Sequence, residues 1–277
     1  MLAREIAPAK LNLALHVRGN LPDGRHAIET IFAFCADGDR LSAADAGDIS
    51  LDVTGPFGSD IAGENLVLTA ARVLAEVAGG DARGAAITLE KNLPVASGIG
   101  GGSADAAATL RLLTSLWSID PKLAEQVAPS LGSDVPACLL SLPARGEGAG
   151  DELAPVQLPD LGGIPVLLVN PRVHLATADV FAKWDGEDQG PLSDWRDGFN
   201  GLQQAAISLV PQIETVLAWL GTRPGANVTR MSGSGATCFA LFDSEEARDL
   251  AANSVPREWF PQGAAGRDDL RLRQQQP

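Results

Sequence analysis

KNLPVASGIGGGSADAAATLRLL, residues 91–113, joins a glycine cluster (Gly98, Gly100, Gly101, Gly102) to a run of Ala and Leu at helical spacing. Glycine costs backbone entropy, so the cluster needs a reason. A dinucleotide fingerprint requires GxGxxG between a strand and a helix, then a strand ending in an acid about 20 residues on. Here Ser103 stands in the third glycine's place, and Asp120 lies in WSIDPK between two helical segments. A Walker loop needs Gly-Lys followed by Ser or Thr, and the chain has no Gly-Lys pair. A plain flexible turn explains neither the length of the cluster nor the helix that begins within it. Glycines let successive N–H groups face one concavity. The helix behind them adds unpaired amides and partial positive charge. The stretch therefore reads as a cradle for an anion, a phosphate chain above all. Ser103 and Asp105 fall in or near the first helical turn, where capping residues belong.

Such a cradle must supply its own charge. The 277-residue chain carries 35 acidic against 21 basic side chains, a formal net charge of −14. That balance argues against general nucleic-acid or anionic-membrane binding. Hydrophobic residues make up 45%, enough for a real core. Cys35, Cys138 and Cys238 are odd in number and widely spaced, which disfavours a disulfide framework or a zinc site; they read as buried and inert. His16, His26 and His174 show no metal spacing, so no protein metal site is expected. MLAREIAPAK has charges and a proline where a signal peptide has its apolar core. No run approaches the ~20 apolar residues of a membrane span. A soluble, cytoplasmic protein is expected.

Along the chain, KLNLALHV alternates Leu11, Leu13, Leu15 and Val17 like a half-buried strand. The turn NLPDG leads to AIETIFAF, an antiparallel neighbour. RLSAAD and DISLDV read as two further short strands, and AAITLEK as another. ENLVLTAARVLAEVA reads as a helix ended by Gly79 and Gly80, with Leu66, Ala70, Val73, Leu74 and Val77 on its apolar face. Helices follow at SADAAATLRLLTSLW and PKLAEQVAPSL. In the second half PVLLVN, NVTRM and ATCFALF read as strands, and TADVFAKW, PQIETVLAWL and SEEARDLAANS as helices, the last capped by Ser244. Early strands pair locally rather than alternating with helices, so the class is α+β. Prolines and glycines in LPDLGGIP suggest a division into residues 1–157 and 158–277.

LPVASGIGGGSADAA resembles the phosphate-binding motif of the GHMP kinases. APAKLNLALHVRGNLPDGRHAIETIFAF, LGSDVPACLLSLPARGEGAGDEL and TRMSGSGATCFALF match further motifs of one branch in the same order. The resemblance implies a two-domain fold, a ribosomal-protein-S5-like α/β domain followed by a ferredoxin-like α+β domain. It implies ATP with Mg²⁺, and phosphorylation of the 2-hydroxyl of 4-diphosphocytidyl-2-C-methyl-D-erythritol in isoprenoid precursor synthesis. Ligands are then expected in a cleft between the domains. Alternatives are another branch, of homoserine or mevalonate type, or a non-catalytic sensor on the same scaffold.

The resemblance puts the ATP phosphates at Pro94, Val95, Ala96, Ser97, Gly98, Ile99, Gly100, Gly101, Gly102, Ser103 and Ala104. It puts Lys10 beside the reacting hydroxyl and makes Asp134 the base. Taken alone, Lys10 is as readily a solvated strand residue, and Asp134 a capping acid at the head of VPACLL. Asn12 is implied to help place the substrate, and His26 to meet the cytosine edge. Phe181 is implied to stack on the base, though by itself it is equally a core phenylalanine. SGSGA at 232–236 reads as a hairpin turn and, by resemblance, as a lining of the active-site cleft. Four positions depart from the branch. Arg25 replaces the usual Tyr; its planar guanidinium could stack on a base or meet the diphosphate. Ser97 and Ala104 interrupt the usual Gly and Ser-Ser pattern, and Gly201 replaces a common acid.

Overall fold

The computed structural model describes residues 2–61, 63–95, 97–259 and 271–273. The chain forms two compact units, each gathered from separate stretches of sequence. The first comprises Met1–Ala9, Asp37–Val95 and Gly100–Ser141; the second comprises Lys10–Ala36, Ala96–Ile99 and Leu142–Pro277. Two long strands, β1 (Ala3–Asn20) and β2 (His26–Ala46), contribute segments to both and pair with each other. The intervening turn closes with the Leu21 amide donating to the Arg25 carbonyl at 2.7 Å. β1 differs from the half-buried strand its alternation predicts. Residues 7–17 are buried without a break, so Lys10, Asn12 and His16 are covered as fully as the leucines opposite them.

In the first unit the second half of β2 pairs antiparallel with β4 (Gly84–Glu90), and β3 (Ser50–Thr54) pairs parallel with β4. RLSAAD is thus the end of β2, not a strand of its own. Four helices pack together: α1 (Leu66–Ala78), α2 (Gly101–Trp117), α3 (Pro121–Leu131) and α4 (Val135–Leu140). α2 touches the other three, and its small Ala104, Ala106, Ala107 and Ala108 are fully buried. α1 starts at Asn65, whose side chain accepts the Val67 amide at 2.9 Å, and stops at Gly79 in a positive-φ conformation. Its buried stripe is Val67, Ala70, Ala71 and Leu74, rotated from the expected one; Val77 is exposed.

In the second unit the first half of β2 pairs with β5 (Ala144–Glu147), and β5 with β6 (Glu152–Pro155). A separate antiparallel sheet has the order β7 (Val166–Val169), β9 (Cys238–Phe242), β8 (Ala226–Met231). Every residue of β9 is buried, as expected for the middle strand of a covered sheet. α7 (Gln212–Gly221) packs on β8 and β9, and α8 (Glu245–Asn253) on β7 and β9, with Ser244 capping α8 as predicted. The unit also contains α5 (Thr177–Ala182) and α6 (Gln203–Leu209).

Residues 12–17 of β1 are bound into this unit. The Leu15 amide donates to Phe199 O at 2.8 Å, and the Gly201 amide to Leu15 O at 2.7 Å. Gln189 accepts the Val17 amide at 2.7 Å and donates to Gly201 O at 3.1 Å. A Cβ at Gly201 would strike that same Gln189 amide group. A side chain at this position would therefore require the Gln189 amide group to move, and nothing in the structure explains the missing acid. All three cysteines are buried, as expected. Among the described residues no helix is long and apolar enough to cross a membrane.

Candidate active site

The glycine stretch is shared between the units. In the first unit Gly100 adopts the left-handed conformation (φ 66°) and serves as the N-cap of α2. Gly100 has no side chain to cap this helix; α4, α5, α6 and α7 likewise lack an N-cap side-chain bond, whereas Asn65, Asp120 and Ser244 cap α1, α3 and α8. The first-turn amides of a 17-residue helix are therefore not spent on a capping side chain. Gly102 is exposed, with only Leu66 Cδ1 near a would-be Cβ, at 3.5 Å. These features suit an anion at the helix mouth. Pro94 and Val95 lead into the turn, with Val95 exposed, and Ala104 is buried in α2. Ser103 and Asp105 do not cap, contrary to expectation: Asp105 is buried and paired with Lys91. Asp134 occupies the N-cap position of α4, half-buried, without capping it.

Sequence reasoning missed Lys91. Its ammonium is buried between Asp39 and Asp105, the latter at 2.7 Å. Asp39 also accepts the amides of Asn92 at 2.5 Å and Leu93 at 2.7 Å. The available signal was a lysine ending a strand just before the glycines, with an acid interrupting the alanines of SADAAA. Burial, and then the nearby Asp39 charge, push the Asp105 carboxyl up to about 8 against the pull of Lys91.

In the second unit Ser97, Gly98 and Ile99 lie between β1 and the β8–β9 turn. Lys10 N donates to Ile99 O at 2.9 Å, and Thr237 N to Ser97 O at 3.1 Å. The Ser232 hydroxyl donates to Gly98 O at 3.1 Å and accepts the Asn12 amide at 3.2 Å. Gly98 has φ +76°, and a Cβ there would lie 2.5 Å from Gly235 O and 2.7 Å from Ser232 O. Only glycine fits. SGSGA is thus a hairpin turn, and it also presses on the loop. Ala96 lies outside the described residues.

The same unit carries Lys10, 3% exposed, with Nζ 5.0 Å from the centre of the Phe32 ring. Burial excludes the solvated-strand reading of Lys10, and Asn12 beside it is buried as well. Asn12 donates through Nδ2 to Thr30 Oγ1 at 2.8 Å; its Oδ1 is buried with no partner among the described residues. His26 stacks on Phe181 (4.5 Å between ring centres, 25°) and meets Trp184 edge-on (5.6 Å, 83°). Trp184 is a second residue that the sequence did not single out. Arg25 lies outside this ring cluster and is half exposed. Its guanidinium donates to Asp23 and to Asp151, each at 2.8 Å; the Arg25 backbone amide and then the guanidinium hold the Asp23 carboxyl below the ordinary range, and the guanidinium does the same for Asp151. Among the described residues no group of three or more His, Cys, Asp or Glu is placed to hold a metal ion.

The fold is that of a small-molecule kinase. The chain belongs to the GHMP kinase family. Residues 65–141 match the model of the GHMP kinases N terminal domain, and residues 185–262 that of the GHMP kinases C terminal domain. A protein of Rhizorhabdus wittichii named 4-diphosphocytidyl-2-C-methyl-D-erythritol kinase is 52% identical over 264 residues, covering 91% of this chain and 89% of the relative. Its namesake from Novosphingobium aromaticivorans is 49% identical, covering 96% and 93%. The crystal structure of a 4-(cytidine 5'-diphospho)-2C-methyl-D-erythritol kinase matches with a TM-score of 0.79 at 33% identity, covering 92% of this chain and 96% of that one. Homoserine kinase from Cytophaga hutchinsonii shares the fold, with a TM-score of 0.65 at 18% identity. ATP is the phosphate donor this family implies.

Proposed function

We infer that this chain transfers the γ-phosphate of ATP to the 2-hydroxyl of 4-diphosphocytidyl-2-C-methyl-D-erythritol. One observation carries the reading: a relative bearing that substrate's name is 52% identical over nine tenths of the chain. The homoserine kinase likeness is one of fold and does not favour that acceptor.

In this reading residues 94–104 cradle the ATP phosphates with backbone amides. Mg²⁺ bound with the nucleotide would offset charge on the phosphates there, and it would not need a dedicated protein cage. Lys10 favours ionisation of the acceptor hydroxyl and offsets the negative charge of transfer; its burial strengthens both effects. Asp134 takes the hydroxyl proton. A carboxylate suffices for this, because phosphoryl transfer is loose and depends more on positioning than on proton affinity. The unpaired Asn12 Oδ1 is an acceptor for a substrate donor. The face of His26, Phe181 and Trp184 receives the cytosine, and Arg25, tied to Asp23 and Asp151, borders it. Nucleotide substrates and three reduced thiols fit a cytoplasmic enzyme.

Labelled γ-phosphate should pass from ATP to the cytidine diphospho-methylerythritol acceptor and not to homoserine or mevalonate. Transfer to either control instead would reassign the acceptor. In the same assay Asp134→Ala should lower kcat at least a hundredfold with nucleotide affinity nearly unchanged. Equal turnover removes the base assignment.

A further inference from the structure

Catalysis as described leaves Lys91, Asp39 and Asp105 without a part. All three are almost wholly buried. Asp39 grips the backbone entering the glycine stretch, through the amides of Asn92 and Leu93. Asp105 sits just past the first turn of α2, and Lys91 joins the two acids. The ammonium also lies against that turn: a Cβ on Gly101 would be 3.2 Å from Nζ. Both flanks of the loop are therefore fastened to one buried cation.

We propose that Lys91 and Asp105 are positioning residues for the phosphate loop, and that Asp105 takes up a proton when a polyphosphate docks at the first turn of α2. The proposal rests on reading residues 94–104 as the ATP phosphate site. Fully ionised, the cluster holds one buried positive and two negative charges. Asp39 is solvated by the ammonium and two amides, while Asp105 Oδ1 has no partner among the described residues. Asp105 is thus the acid that gives up its charge, consistent with its carboxyl standing near 8. An arriving phosphate chain adds like charge and drives Asp105 further toward the neutral form. By linkage, the protonated protein binds the phosphates more tightly.

The other charged groups near this cluster leave the assignment unchanged. Glu90 at the end of β4 is exposed and accepts from Asn92. Arg111, further along α2, turns to the carbonyls of Ile6 and Cys138 and to Glu5. On the helices packed against α2, Arg72, Glu76, Lys122 and Glu125 are exposed, and Asp134 stands at the head of α4. Asp105 responds to Lys91 and Asp39.

The test is calorimetric titration of ATP into the whole protein between pH 7 and 9.5, in two buffers of different ionisation enthalpy. Above about pH 8 the wild-type affinity should fall by up to about tenfold per pH unit, with fractional proton uptake on binding. Asp105→Asn, which keeps the shape, should show neither. Lys91→Met should bind ATP at least tenfold more weakly, with partial rescue in Lys91→Arg. A third variant separates this proposal from the one beneath it. Gly102→Asp has room for its side chain and suits a helix start, yet sets a carboxylate where phosphate is read to bind. Weaker ATP binding in Gly102→Asp, with the slope and uptake unchanged in Asp105→Asn, overturns the proton proposal alone. Unaltered ATP affinity in Gly102→Asp overturns the loop reading and this proposal with it.

Discussion

The hydroxyl of Ser232 accepts the Asn12 amide and donates to Gly98 O, so one oxygen fixes β1, the loop and the β8–β9 turn together. The residue is fully buried. Ser232→Ala would leave a buried donor and a buried acceptor unmet, at a cost of about 1–3 kcal/mol. We expect chemical denaturation to show that loss and the KM for ATP to rise severalfold, while Ser232→Thr recovers part of both. An unchanged KM would confine Ser232 to stability. Its part was invisible in the sequence because the partners are 220 and 134 residues away. Lys10 and Asn12 could be named from their motif, but their burial could not. Leucine alternation marks one face of a strand and says nothing of what covers the other. Lys91 escaped notice because a lysine after a strand looks solvated until the acids that enclose it are known.

Two helices of the first unit begin in opposite ways. α1 opens on Asn65, which ties down the Val67 amide. α2 opens on a left-handed glycine and ties down none by a side chain. Capping is a stability device, and an uncapped start is what an anion site requires. Asn65→Ala should therefore cost about 1 kcal/mol in unfolding free energy and leave the KM for ATP alone. A comparable KM shift would mean that α1 also shapes the nucleotide site. Helices were legible wherever a cap or a glycine stop accompanied the apolar period, as at Asn65 to Gly79 and at Ser244. α6, β5 and β6 passed unnoticed. The two strands are four residues each, and ARGE and ELAP have no apolar alternation to read.

The chain threads back and forth, so sequence order and spatial grouping differ. We propose that the division into residues 1–157 and 158–277 is one of sequence and not of independent folding. A fragment 158–277 lacks residues 12–17 of β1, which supply Leu15 O to Gly201 and Leu13 O to Arg230. Arg230, half-buried and with its guanidinium held by the carbonyls of Leu13, Trp195 and Arg196, would lose one of its acceptors. We expect that fragment to lack a cooperative thermal transition by circular dichroism; a sharp one would make 158–277 a domain in its own right. The ring cluster offers an optical handle. No tyrosine exists in the chain, so near-ultraviolet emission comes from five tryptophans. One of them, Trp184, leans its edge on the His26 imidazole. A pyrimidine settling against those rings would alter the indole's quenching and thereby announce the acceptor's arrival, label-free, in a stopped-flow fluorimeter.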